Sequence, residues 1–313
     1  MASKPQRQPE IADKTVGWSD SARSGILSRW RRIWKILEYS SAYLALIAIA
    51  KIYIVVFVLS LQMSLAPIVA GLVTFAIYAV DRLTHVETDR ESTPGRAAFV
   101  RQHDDSLYAL AAVAYGIGVA LSVLGGPVAF AFALLPGGVW IVYACDWIPA
   151  IERDVHRLKD ILVVNSALIA AAWAVPIVVV PIAFADATIG PAAVVLVVYF
   201  FLGTFANVEV ANVRDTENDR QEGVATLPTV FGIARTRQFL YGLAALTIAV
   251  LGYAAFGGYL SAPAATILAT GPVSLLGVIA LLGRVESDKM LTLGAECTRL
   301  PVFLAFVVSV VVW

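Results

Sequence analysis

The apolar runs of this chain are joined by connections that carry basic residues only on every second turn, and no feature of the sequence limits the fold more. The runs cover approximately residues 39–60, 64–81, 106–124, 126–145, 161–183, 188–211, 239–256, 260–283 and 298–313. Each approaches the roughly 20 apolar residues that a helix needs to cross a hydrocarbon core about 30 Å thick. A lipid-exposed backbone must satisfy its own hydrogen bonds, so such runs are helices. The composition agrees: 59% of residues are hydrophobic and 15% charged, which leaves too little polar surface to cover a soluble domain. The reading is an all-α polytopic membrane protein, with about nine transmembrane helices in one bundle around a central cavity that opens to the cytoplasmic side.

Gly125-Gly126-Pro127 separates the third run from the fourth, and 184–190 the fifth from the sixth. The connections 82–105, 146–160, 212–238 and 284–297 are long and polar. Eight Lys and Arg lie in residues 1–38, four in 82–105, three in 146–160 and four in 212–238. Arg284, Lys289 and Arg299 bring that side to 22 of 23; Lys51, inside the first run, is the exception. The opposite connections contain one charged residue, Asp186. Basic residues stay cytoplasmic, so the amino terminus and the long loops are expected in the cytoplasm and the carboxyl terminus outside, in a multi-pass protein of the cell membrane.

Residues 1–38 read as a cytoplasmic basic tail, and 39–313 as the membrane domain. The first 36 residues have no apolar core segment, so no cleavable signal is expected and the spans direct insertion. Ile26, Leu27, Trp30, Ile33, Trp34 and Leu37 follow helical spacing among Arg and Lys, the pattern of a helix lying on an anionic leaflet. Net charge is zero, which argues against a nucleic-acid partner. Cys145 and Cys297 form no disulfide or metal pattern.

Two acidic clusters stand at the ends of even-numbered runs. Asp81, His85 and Asp89 fall at i, i+4 and i+8; Asn212, Asp215 and Asp219 fall at i, i+3 and i+7. Each set shares a helical face and both can face one cavity. Carboxylates one turn apart repel unless a cation lies between them, and paired oxygen donors suit Mg²⁺ bound together with substrate phosphates. Asp81, Asp89, Asp215 and Asp219 are the expected metal ligands. Arg96, Arg157, Lys159 and Arg220 are the expected diphosphate partners. An apolar tail on that diphosphate would run down into the bundle. Charges inside spans are costly and point to function; Glu209, about one turn inside the end of the sixth run, is a candidate to extend the metal shell, and Lys51 is the partner of a carboxylate or a snorkelling side chain.

Beyond this pattern, the sequence resembles the UbiA superfamily of intramembrane prenyltransferases over most of its length. Asp81-x3-His85-x3-Asp89 followed by Pro94-Gly95-Arg96 is similar to the family's Asn-x3-Asp-x3-Asp and Pro-x-Arg elements. Asp215-x3-Asp219-Arg220, continuing through Gly223-Val224-Ala225-Thr226-Leu227-Pro228, resembles the second motif. Arg157-Leu158-Lys159-Asp160 and Asn165 resemble the basic stretch before the fifth span. Two positions depart from the pattern. His85 stands where the family has a carboxylate ligand, and imidazole is a poor ligand for a hard ion; it is retained as a candidate general base. Asn212 occupies a position often charged in relatives.

The resemblance implies Mg²⁺-assisted transfer of an isoprenoid chain from a polyprenyl diphosphate to a small or lipid-soluble hydrophobic acceptor. Asp81, His85, Asp89, Asp215 and Asp219 would form the catalytic set, with Glu209 and Asn212 nearest the acceptor. Loops 82–105 and 212–238 would act as lids. Tyr78, Tyr143, Tyr199 and Phe205 are candidates to face the allylic cation. A membrane transporter or a non-catalytic lipid-binding relative is the alternative; a transporter accounts for Lys51 and Glu209 but not for acids and bases gathered on one side.

Overall fold

The computed structural model describes residues 28–30, 32–87, 93–144, 162–285 and 288–312, and all its regular elements are helical. The first complete helices are α1 (Ala42–Val58), α2 (Ala66–Thr84), α3 (Pro94–Gln102), α4 (Asp104–Ser122) and α5 (Gly126–Ala144). They are followed by α6 (Val164–Phe184), α7 (Pro191–Glu222), α8 (Leu227–Phe256), α9 (Ala262–Leu281), α10 (Asp288–Cys297) and α11 (Arg299–Val312). Proline sits in the first turn of α2, α7, α8 and α9, where its missing N–H costs no helical hydrogen bond. Among the described residues, seven helical stretches are long and apolar enough to cross a membrane, or eight if the bent pair Ser28–Tyr39 and Ala42–Val58 forms one.

One of those stretches, Asp104–Ile141, holds 38 residues. As a single helix it would extend about 57 Å, nearly twice a hydrocarbon core. The chain breaks it with a 3-10 turn at Val123–Gly125 and with Gly126 at φ 82°, ψ −178°, a backbone open to glycine. This is the Gly-Gly-Pro boundary expected between the third and fourth runs.

The helices form a closed ring. α1 packs on α2, α2 on α4, and α5, α6, α7, α8 and α9 on one another in turn; α11 then joins α9 to α1. The largest buried cluster includes Ile54, Ile177, Leu196, Phe200, Leu268 and Phe306. It fills the end of the bundle away from the two acidic motifs and leaves the motif end to hold cavities. On the outer surface of α4, Leu110, Val113 and Ile117 are 56%, 58% and 46% exposed. An apolar stripe of this kind belongs against lipid.

Three expectations need correction. The loop expected over 212–238 is mostly helix, because α7 continues to Glu222 and α8 begins at Leu227. Hydropathy registers where a helix leaves the apolar layer, not where its hydrogen bonds stop. Gly223 (φ 75°) ends α7 in the left-handed conformation, and Thr226 with Thr229 forms a capping box that starts α8. The loop 82–105 likewise contains α3. Finally, Arg299, expected among the cytoplasmic basic residues, lies in the middle of the apolar stretch Met290–Ser309 and is buried in the bundle. Its guanidinium is buried, stacks over the Tyr199 ring at 4.7 Å and occupies space left open by Gly203 and Gly271. Both glycines make room for it.

Candidate active site

Two cavities adjoin the carboxyl-terminal end of α2. The outer one encloses about 320 Å³ between α2, α5 and α6, and Tyr78, Asp81, His85, Trp140, Asn165 and Trp173 line it. The inner one, about 190 Å³, is bordered by Lys51, Arg82, Asn207, Arg214 and Glu296. Tyr78, Ile169 and Trp173 form a wall common to both. Tyr78 and Trp173 stack with centroids 5.4 Å apart, which holds that wall flat. A third, apolar cleft of about 30 Å³ lies between Val69, Val73, Phe132, Ala133 and Val180 and meets the outer cavity at Pro136 and Trp173.

Asp81 occupies the last turn of its helix, and three donors surround its carboxylate. The Trp140 indole N–H donates to Oδ1 at 3.3 Å, Arg82 Nη1 stands 3.6 Å from Oδ2, and His85 Nδ1 stands 3.4 Å from Oδ1. The same His85 nitrogen is 2.9 Å from the Asp81 main-chain oxygen and 3.1 Å from Thr84 Oγ1. His85 caps α2 and is folded back onto Asp81. Asp89, Arg157 and Lys159 lie outside the described residues.

The second motif is arranged differently. Asp215 accepts a bidentate pair from Arg214, Nε to Oδ1 at 2.7 Å and Nη2 to Oδ2 at 2.6 Å. Thr226 Oγ1 donates to Asp219 at 3.3 Å, tying the motif to the start of α8. Arg220 binds Glu217 at 3.1 Å on the surface, and Arg96 lies in the first turn of α3. Neither Asp215 nor Asp219 lines the two cavities; α7 reaches the inner one through Arg214. Among the described residues, no three His, Cys, Asp or Glu side chains gather as a metal site.

Glu209 and Asn212 meet at a third point. The buried Glu209 accepts from Ser166 Oγ at 2.6 Å, and Asn212 Nδ2 donates to that same hydroxyl at 3.4 Å. This network joins α6 to α7 and borders neither cavity. Ser166→Ala removes the donor from a buried carboxylate and is expected to destabilise the protein by about 1–3 kcal/mol, as measured by thermal unfolding in detergent. Of the aromatic candidates, Tyr78 faces the cavities, Tyr199 is buried beneath Arg299 and donates to the Leu268 carbonyl at 3.1 Å, and Phe205 is in the core. The side chain of Tyr143 lies outside the described residues. Trp140, Asn207 and Glu296 were not singled out by spacing. The signal available for Asn207 and Glu296 was a polar residue in or beside an apolar run, and for Trp140 there was none.

Comparison with known proteins accords with this architecture. The profile of the UbiA prenyltransferase family matches residues 39–307. No curated protein matches the sequence. A UbiA homologue from Aeropyrum pernix K1 superposes with TM-score 0.60 at 15% identity, covering 88% of this chain and 98% of its own. A UbiA homologue from Archaeoglobus fulgidus, bound to DMAPP and Mg²⁺, gives TM-score 0.58 at 16% identity over 88% of this chain and 99% of its own. A digeranylgeranylglyceryl phosphate synthase gives TM-score 0.55 at 18% identity over 87% and 98%. With the family profile spanning the ring of helices from the start of α1 into α11, this chain belongs to the UbiA prenyltransferase family.

Proposed function

We propose that the chain is an integral-membrane prenyltransferase that moves an isoprenoid chain from a polyprenyl diphosphate to a small or lipid-soluble acceptor. The observation that carries this reading is the outer cavity. It has Asp81 and His85 of the first motif in its wall and an apolar cleft against its other side, a polar end and an apolar end for a diphosphate and its tail. The A. fulgidus homologue, bound to DMAPP or to GPP with Mg²⁺, supports it.

The donor chemistry fits a hard divalent ion in kind. Asp81, Asp215 and Asp219 offer carboxylate oxygens now engaged by Trp140, Arg214 and Thr226, and the Asp215 side chain is 34% exposed. These three with Asp89 would hold Mg²⁺. When bound, the ion neutralises charge on the departing diphosphate. His85 is a weak ligand for such an ion, and its hold on Asp81 gives it a positioning role there. Arg96, Arg157, Lys159 and Arg220 would bind the remaining phosphate oxygens. The donor's C1–O bond breaks with its electron pair going to diphosphate, and the acceptor forms its bond to C1 and loses a proton. Tyr78 and Trp173 form the wall that faces this carbon and keeps water from it.

In this reading the spans number nine: α1, α2, α4 to α9, and α10 with α11 as one. The amino terminus and cavity mouth face the cytoplasm. The charge segregation supports that orientation, with Arg299 now counted inside the bundle. Residues 1–38 form the basic tail, and the exposed Trp30, Ile33 and Trp34 suit a helix resting on the leaflet.

The test is diphosphate release by the purified protein in liposomes with geranylgeranyl diphosphate, Mg²⁺ and membrane lipid extract. Release that requires extract and stops with EDTA is the expected result. Donor taken up or passed across the bilayer unchanged, with no diphosphate formed at any chain length, refutes it in favour of transport.

A further inference from the structure

The helix Ser28–Tyr39 has a face that nothing among the described residues covers. Trp30, Ile33, Trp34 and Leu37 recur at i, i+3, i+4 and i+7, with Arg29, Arg32 and Lys35 on the opposite face. Trp30, Ile33 and Trp34 remain exposed. Indole and aliphatic side chains backed by cations are complementary to an anionic leaflet. The root of the helix sets it apart from a simple anchor. It meets α1 at 79° through Ser41, a left-handed residue at φ 60°, ψ 13°, and both Ser40 and Ser41 are buried. A non-glycine backbone persists there only where its surroundings fix it. Ser40 Oγ donates to the Ile36 carbonyl at 2.6 Å, and Ser41 Oγ accepts from Arg82 Nε at 3.4 Å. Nη1 of that same guanidinium stands 3.6 Å from Asp81. A second link leaves from Tyr39. Its ring packs on Phe99 at 5.8 Å, and Phe99 in turn stacks on His103 at 4.5 Å. Its hydroxyl comes so near Gly95 that a Cβ there would lie 3.0 Å away. Gly95 and Phe99 belong to α3, the helix that carries Arg96.

We propose that the amino-terminal helix is a lipid-responsive positioning element. Seated on an anionic leaflet, it fixes Asp81 through Ser41 and Arg82, and Arg96 through Tyr39 and α3, so that both ends of the first motif present one geometry to the donor diphosphate. The inference rests on the prenyltransferase reading and adds regulation to it. Ser41 and Tyr39 sit two positions apart at the same bend, so one tilt of the helix moves both links together. The guanidinium is planar and rigid, and a displacement at its Nε is carried to the nitrogen that faces Asp81. Released from the leaflet, the helix swings about Ser41 and the two ends of the motif lose their common reference.

The experiment is hydrogen exchange of the full chain in nanodiscs, with phosphatidylcholine discs set against discs that also contain phosphatidylglycerol. The anionic lipid is expected to slow exchange about fivefold at the end of α2 and across α3, the lower end of ordinary coupling between sites. Replacing Trp30 and Trp34 together by Ser should abolish that difference. Ser41→Ala should abolish it at the end of α2, and Tyr39→Leu across α3, while residues 32–36 stay protected by the lipid as in the parent. Thermal unfolding verifies that each variant is folded. In the anionic discs the double Trp variant should show a KM for geranylgeranyl diphosphate raised about fivefold, with kcat within about twofold of the parent. Equal exchange in both lipids, a lipid effect that survives in the folded double Trp variant, or parent-like transmission in both Ser41→Ala and Tyr39→Leu overturns the proposal. A lowered kcat with unchanged KM would also overturn it, by moving the helix away from donor binding. Lipid-dependent exchange that follows this pattern without diphosphate release from any donor would instead refute the prenyltransferase reading and leave the coupling standing.

Discussion

Replacing Asp215 and Asp219 together by Asn is expected to lower diphosphate release on the order of a thousandfold, because in the proposed mechanism their charge holds the metal, and its removal costs several kcal/mol of transition-state stabilisation. Both side chains keep their size, and the helix around them is unchanged. The Arg214–Asp215 pair is 29% and 34% exposed, and partly exposed pairs of this kind contribute at most about 1 kcal/mol to folding. The Thr226 hydroxyl can donate to an amide oxygen as it does to Asp219. The double variant should therefore melt close to the parent while losing turnover, and the measurement is release of diphosphate set against thermal unfolding of the same preparation. Parent-like release from the double variant would remove the second motif from the mechanism. Unfolding would move its role from chemistry to architecture.

The largest effect on stability is expected at Gly203. A Cβ built there collides with the Arg299 guanidinium, and one built at Gly271 lies 2.6 Å from Arg299 Nη1 and 2.5 Å from the Tyr199 hydroxyl. Arg299 has little freedom to move aside, since Tyr199 lies beneath it and is itself fixed by the Leu268 carbonyl. Gly203→Ala should cost about 3 kcal/mol, the upper range for overpacking. In an Arg299→Ala background the added methyl enters vacated space and the cost should largely vanish. Such non-additivity is what residues in direct contact produce. Thermal unfolding of the four proteins in detergent decides it, and an equal penalty in both backgrounds would show that the cradle is not the reason.

Much of the fold was legible because hydropathy and the hydrocarbon thickness act on each helix separately. The break at Gly125-Gly126-Pro127 was readable since glycine and proline act locally. The ends of α7 and the start of α8 were not, because a helix that continues into water looks like a loop to any measure of apolarity. Arg299 was misplaced for a related reason: a charge reads as an interface until the glycines that receive it, 96 and 28 positions earlier, are known to meet it. In the candidate site, the spacing of Asp81 and His85 foretold their contact within one turn of α2. It could not foretell that Trp140, from α5, would complete that cluster, or that Asp215 would turn to its own neighbour Arg214. Nor did a lone Lys51 reveal the cavity around it, which exists only where α1, α2, α6, α7 and α10 converge.

The buried Arg299 also bears on how the chain is assembled. An arginine at the centre of a membrane helix carries a penalty of about 3 kcal/mol at the translocon, so the last hydrophobic segment is a reluctant partitioner by itself. Its receptacle, however, is made of Gly203 and Gly271, which leave the ribosome earlier. Vectorial synthesis thus presents α11 to a groove already built, and its entry closes the ring against α1.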